Sequence, residues 1–385
     1  MRFCVLFIGL ILSTASIAGD STFIPILFQR LLDKQITKTD FFVEGSYTSF
    51  RQRGERQELK ADNNIFYTAL IAYTLQNLKA YLTNDENIVV DTIINRAKKA
   101  FPYYKNRRGR LTYNFWRTDK GKDFFPNDKI LNKLKNKLAL ADDLDDTSII
   151  LAILNIDDSI AENSHQLMQE FANGKYAIIK NTFKSYQNVS AYSTWYGKKM
   201  PVDFDFGVHC NILSFVNKYH LNWNRTDSVT YELILDMIDK NYHNQFSKYI
   251  SPYYYYTPVL LYHIGRLFES NQLLELDKRK SKFAADAVKN SYEADNRLTK
   301  VISLSTLYKL NMPAADFELT ENDVNGGLNN TDFVYYTGHL FGHLNNTIKA
   351  IANSMSSTTQ FKWYSSAFND CLLLEYLILK HRKKL

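Results

Sequence analysis

Residues 141–156 read ADDLDDTSIILAILNI. Four carboxylates lie within five positions at its head, and a nearly unbroken apolar run follows. A run apolar on every face leaves no solvated stripe, so it reads as a helix buried all round. The same character returns at 62–80 (DNNIFYTALIAYTLQNLKA), 205–216 (DFGVHCNILSFV), 253–268 (YYYYTPVLLYHIGRLF), 295–310 and 365–379 (SSAFNDCLLLEYLIL). Between these lie helices of another kind, at 87–99, 160–171, 228–239 and 273–289, each charged along one face. The alternation predicts an all-α fold in which an outer layer wraps six inner helices. That is the count of one (α/α)6 toroid, six inner and six outer helices with no sheet required. Inner helices are unevenly spaced, whereas an open solenoid keeps a stricter period.

Composition agrees. Of 385 residues 45% are hydrophobic, enough for a sizeable core, while 14 Gly and 7 Pro are too few for the frequent turns of an all-β or α/β chain. Three Cys exclude a disulfide scaffold and a structural zinc module. A net charge of +7, spread along the chain, favours solubility and predicts no nucleic-acid partner. The G-x-S-x-G, P-loop and G-x-G-x-x-G motifs are absent.

The first residues read as an address. Arg2, an apolar run over 5–12, and Ser16-Ile17-Ala18 before Gly19 have the anatomy of a secretory signal peptide, and the run is too short to span a bilayer. The expected organisation is a leader over 1–18 and one toroid domain over 19–385, in a protein that is secreted, periplasmic or lumenal. Cys4 leaves with the leader; Cys210 and Cys371 either pair or stay buried as free thiols. Sequons at Asn188, Asn224, Asn329 and Asn345 matter only in a eukaryotic host. The basic end Lys380-His381-Arg382-Lys383-Lys384 reads as a frayed terminus or a peripheral contact with anionic lipid.

The acidic cluster carries the chemistry. Helix capping accounts for two of its carboxylates and leaves two over. Carboxyls held this close cannot all ionise, so one keeps its proton and can donate it, even to an alkene. Asp145, Asp143 and Asp146 are therefore the candidate catalytic residues. An irregular insert at 101–132 holds a basic stretch (Lys105, Arg107, Arg108, Arg110) and then Tyr113 to Asp119. Together with the starts of the other inner helices it offers a lining of Trp116, Arg117, Trp195, Tyr196, Asp205, His209, Tyr254, Tyr255 and Tyr364, joined by Phe361 and Trp363. Aromatic faces hold apolar substrates and attract carbocations.

Asp143-Leu144-Asp145-Asp146-Thr147-Ser148 resembles the D-x-D-D-T-A/S signature of class II terpene cyclases, within the superfamily of terpenoid cyclase and protein prenyltransferase toroids. The resemblance implies a protonation-initiated cyclisation of a polyprenoid, without a metal. Asp145 would be the acid, and Asp143 and Asp146 its hydrogen-bonding neighbours. The segments 203–213 and 365–379 are similar to the starts of later inner helices in such toroids. The chain departs from the family in having material for one toroid domain, no glutamine–tryptophan repeats and a secretory leader.

Other readings use the same residues. Asp142-Asp143-x-x-Asp146 also spells the D-D-x-x-D of class I terpene synthases, which implies Mg²⁺. Its partner motif is incomplete at Asn322-Asp323-Val324-Asn325-Gly326, which lacks the hydroxyl and ends on Asn330. Secreted toroids also include glycoside hydrolases and polysaccharide lyases. For these, Asp62, Asp143, Asp145, Asp205 and Asp295 would converge on one rim, with aromatic platforms for a saccharide. A third possibility is a non-catalytic binding protein. His339 and His343 have i, i+4 spacing for one helical face and a metal, without a nameable third ligand. His209-Cys210 and Asp370-Cys371 lack the spacing of a prenyltransferase zinc site.

Overall fold

Each of the six all-round-apolar segments contains a helix. The computed structural model describes residues 19–55, 58–129, 131–134, 140–197, 200–270, 273–326, 331, 333–339 and 342–383. The proposed leader with Cys4, Asn329 and Asn330 lie outside them. Among the described residues the longer helices are α1 (Phe23–Lys34), α2 (Phe66–Leu78), α3 (Asn84–Ala100), α4 (Leu144–Leu154), α5 (Asp158–Gln169), α6 (Phe206–Lys218), α7 (Arg225–Asp239), α8 (Thr257–Ser270), α9 (Lys280–Tyr292), α10 (Arg297–Lys309), α11 (Asn346–Ser354) and α12 (Ser366–Arg382).

The apolar helices are buried as their composition requires. Every residue from Phe66 to Leu75 is buried in α2, from Leu144 to Ile153 in α4, and from Ala367 to Leu379 in α12. They pack in chain order: α2 against α4, α4 against α6, α6 against α8, α8 against α10, α10 against α12, and α12 against α2. The amphipathic helices lie outside them, α3 on α2, α7 on α6 and α9 on α10. Side-chain caps fix several starts: Thr83 and Glu86 form a capping box for α3, Asn224 and Asp227 one for α7, and Asn296 and Asn345 cap α10 and α11.

Two boundaries differ from the pattern for local reasons. Residues 253–256 are not helical; Pro258 sits in the first turn of α8, where its missing N–H leaves no helical bond unmade. The segment 273–289 is split into a single turn, Leu274–Asp277, and α9.

The molecule is mostly helical but not wholly so. Strands β1 (Phe50–Arg53), β2 (Lys60–Ala61), β5 (Tyr336–His339) and β6 (Gln360–Tyr364) form a sheet in the order β2-β1-β6-β5, every pair antiparallel. Phe50 lies opposite Tyr364, and Tyr336 opposite Trp363. A second ribbon pairs β3 (Asp142–Asp143) with β4 (Trp195–Tyr196). The expectation of no sheet is thus corrected: strands of two to five residues, with β1 and β6 paired across some 300 positions, leave too little periodicity to read. His339 ends β5, so it shares no helical face with His343.

The basic end is not frayed from Lys380 to Lys383; Lys384 lies outside the described residues. Lys380 and His381 bond Asp20 at 3.2 and 2.6 Å, Lys380 reaches Asp316 at 3.0 Å, and Arg382 forks onto Glu86. Beside them, Lys34 and Arg30 of α1 bond Asp370 of α12 at 2.6 and 3.5 Å. Cys210 and Cys371 are both free and buried. Among the described residues no helix is long and apolar enough to cross a membrane.

Candidate functional site

The acidic cluster straddles a strand and a helix start. In β3, Asp142 pairs with Tyr196 and Asp143 with Trp195, and Tyr113 of the insert bridges to Asp143 from another side. Asp142 turns towards the insert, accepting from Thr112 Oγ1 at 2.7 Å, Lys122 Nζ at 3.1 Å and Asn106 Nδ2. Burial pushes its carboxyl up, but Lys122 and the amide and hydroxyl donors outweigh burial and hold it below the usual range. Its role is to fasten the insert to the helix start. Among the described residues no group of three or more His, Cys, Asp or Glu is placed to hold a metal ion.

The next three carboxyls are wholly enclosed. Asp143 is the N-cap of α4, its Oδ1 accepting from Asp146 N at 2.7 Å. Burial, then the charges of Asp146 and Asp145, push the Asp143 carboxyl well up. Burial and the Asp145 charge do the same to Asp146. Asp146 Oδ1 has no hydrogen-bond partner. Asp145 faces two donors, Asn211 Nδ2 at 2.6 Å onto Oδ1 and the Tyr254 hydroxyl onto Oδ2. Burial raises its carboxyl to about 6, against the lowering effect of Tyr254, Asn211 and the Arg266 charge.

Aromatic rings crowd this end of the helices. Tyr254 lies 4.4 Å from His263, 5.4 Å from Tyr336 and 6.0 Å from Phe66, centre to centre. Tyr336 also meets Phe66 at 4.4 Å and stacks on Phe115 at 5.4 Å. Gly207, at the start of α6, makes room for Tyr254: a Cβ there would stand 2.4 Å from the Tyr254 ring. Asp205 caps α6 through Gly207 N at 2.8 Å and Val208 N at 3.1 Å, and also accepts from Ser251 Oγ and Tyr253 N. Burial raises its carboxyl to about 7 in spite of these donors.

No family model, no curated protein and no solved structure matches this chain. The functional reading therefore rests on the geometry.

The expected lining residues divide into groups. Tyr254 touches Asp145, while Trp195 and Tyr196 reach the cluster through the β3–β4 ribbon. Trp116 donates from Nε1 to Asp62 at 2.9 Å, and Asp62 is in turn ion-paired with buried Arg51. Arg117 forks onto Asp119 at 3.0 and 2.8 Å and lines a cavity of about 240 Å³ with Asn63, Asp119 and Asp123. Tyr255 stacks on Tyr256, and the Tyr364 hydroxyl donates to Gln52 at 2.9 Å. His209 Nε2 bonds the Tyr192 carbonyl at 2.8 Å, and burial lowers the ring to about 4, so it is neutral. Of the other helix-start acids, Asp62 and Asp205 are buried among donors, whereas Asp295 is exposed. Among the sequons, the Asn224 and Asn345 side chains are occupied as caps, and Asn188 is exposed.

The sequence reading passed over Asn211, Tyr336 and Arg266. Asn211 and Arg266 carried a usable signal, each being a polar residue inside an otherwise apolar run.

Proposed function

We propose that the six apolar helices close into an (α/α)6 toroid, and that Asp145 is a general acid at one mouth of it. The proposed activity is protonation-initiated cyclisation of an apolar, polyprenoid-type substrate, of the class II terpene cyclase kind. Support for the toroid is the packing order, in which each helix meets the next and α12 returns to α2. One observation supports the chemistry above all: an enclosed carboxyl, with its titration raised to about 6, set among aromatic rings. Protonated Asp145 gives its proton to a substrate double bond, and the electron pair of that bond forms the new C–H bond. The Asn211 amide and the Tyr254 hydroxyl then receive the carboxylate left behind, so the observed arrangement suits the conjugate base. Tyr254, Tyr336 and Phe66 present faces to the cation. The leader-like residues 1–18 support action outside the cytosol.

A second reading is a non-catalytic toroid in which Asp145 only braces α4 against α6 and the segment before α8. It is favoured by the internal donors that both Asp145 oxygens already have. The saccharide reading has less support, because Asp62 and Asp205 are bound up in caps and ion pairs and Asp295 is exposed. The test is incubation of the protein with linear polyprenols and squalene, followed by product analysis. The cyclase reading expects a cyclised product that disappears in Asp145→Asn. An unchanged product in that variant, or no turnover of any substrate by the wild type, selects the brace.

A further inference from the structure

The opposite ends of the same helices line a second cavity that opens to solvent. It measures about 420 Å³ and lies at the C-terminal ends of α2, α6, α8, α10 and α12, with Tyr73, Ser214, Lys218, Arg266, Glu269 and Lys309 in its wall. Helix C-termini carry partial negative charge, so cations here are expected. Two of them are already matched: Lys309 bonds Glu269 at 2.9 Å and Glu375 at 2.7 Å, and Lys383 bonds Glu269 at 2.9 Å. Arg266 and Lys218 have no carboxylate contact among the described residues. Lys218 donates to the Ala152 carbonyl at the end of α4. Arg266 is 5% exposed, lies over the Tyr73 ring at 4.5 Å, and leaves Nη1 without a hydrogen-bond partner.

Arg266 draws support from the charge of Glu375 and from the Tyr335 hydroxyl but makes no direct ion pair among the described residues, and a guanidinium's planar fork matches the oxygens of an anion. Lys218 supplies a second cation from the neighbouring helix, and Ser214 a hydroxyl, so the wall is complementary to two negative charges. We propose that this cavity is a binding site for a small dianionic oxyanion, a phosphate monoester or a dicarboxylate, anchored by Arg266 and completed by Lys218. The proposal does not rest on the chemistry assigned to Asp145, although the Arg266 charge also reaches that carboxyl.

The test is calorimetric titration of the full chain with phenyl phosphate and with malonate, beside Arg266→Gln, Lys218→Gln and the surface control Lys184→Gln. The expected result is saturable 1:1 binding of at least one probe, weakened at least tenfold in Arg266→Gln and in Lys218→Gln and unchanged in the control. Lys218 is half-buried at a helix end, so its variant remains folded even if Arg266→Gln does not, and circular dichroism verifies this. Absence of saturable binding to the wild type, or binding that survives in Lys218→Gln, overturns the proposal.

Discussion

The Asp145 carboxyl makes a measurable claim about stability. An aspartate in the unfolded chain ionises near 3.8, while Asp145 in the fold does so at about 6. The unfolded state therefore releases its proton first as pH rises, and the folded state becomes less stable between these two values. Below about 4 both states hold the proton and no cost exists; above about 6 the cost is complete. A gap of about 2 pH units, at about 1.4 kcal/mol each, gives about 3 kcal/mol at neutral pH. Asp145→Asn removes this titration and keeps the shape, because the Tyr254 hydroxyl can rotate and the Asn211 amide can flip to suit an amide. It also removes the charge that pushes Asp143 and Asp146 up, which acts in the same direction. Urea unfolding of both proteins at pH 4.5, 6 and 7.5 reads the effect, since groups that do not feel the Asp145 charge cancel in the difference. The stability of the variant relative to wild type should rise by about 2 kcal/mol across that range, most of it between pH 4.5 and 6, since about 1 kcal/mol of the cost is already present at pH 4.5. Parallel profiles would mean that Asp145 ionises as freely in the fold as in the unfolded chain, and the acid role would go with it.

Three further outcomes follow from the same geometry. Gly207→Ala places a methyl against the Tyr254 ring and should cost about 1–3 kcal/mol in urea unfolding, whereas Gly121→Ala, where a Cβ meets nothing within 4 Å, costs only the strain of its positive φ. Asp62→Ala leaves Arg51 buried and unpaired and frees the Trp116 indole, so about 3–5 kcal/mol should be lost, together with a change in tryptophan emission; an unshifted midpoint refutes the pair. Asp142→Ala releases Asn106, Thr112 and Lys122, and trypsin should then cut the 105–110 stretch sooner than in wild type.

What could be read in advance follows from where the information lies. An all-round-apolar run such as 144–154 can only be a buried helix, and a one-sided run such as 84–100 only a surface one, so the helical layers were legible from composition along the chain. Helix α1 escaped although Ile24, Leu27, Phe28 and Leu31 mark its buried stripe, because it adjoins a segment read as leader. The sheet was not legible, since Phe50 and Tyr364 declare nothing about each other locally. At the site, crowding among the aspartates was visible, but not the division of labour. Only the fold distinguishes Asp142, wrapped by donors from the insert, from Asp145, held by Asn211 and Tyr254 of later segments. Trp116 and Arg117 show the converse: their types suggested a substrate wall, and their neighbours Asp62 and Asp119 claimed them.

The packing of α12 has a consequence for biosynthesis. This helix covers faces of α1, α2 and α10, yet it is the last of the described helices to be translated. Some 300 residues separate it from α2, which at ribosomal speeds of about 5–20 residues per second is a wait of roughly 15–60 s. Throughout that interval the apolar side of α2 that α12 will occupy is bare, so the nascent chain must be shielded or kept from premature collapse until residues 366–382 emerge.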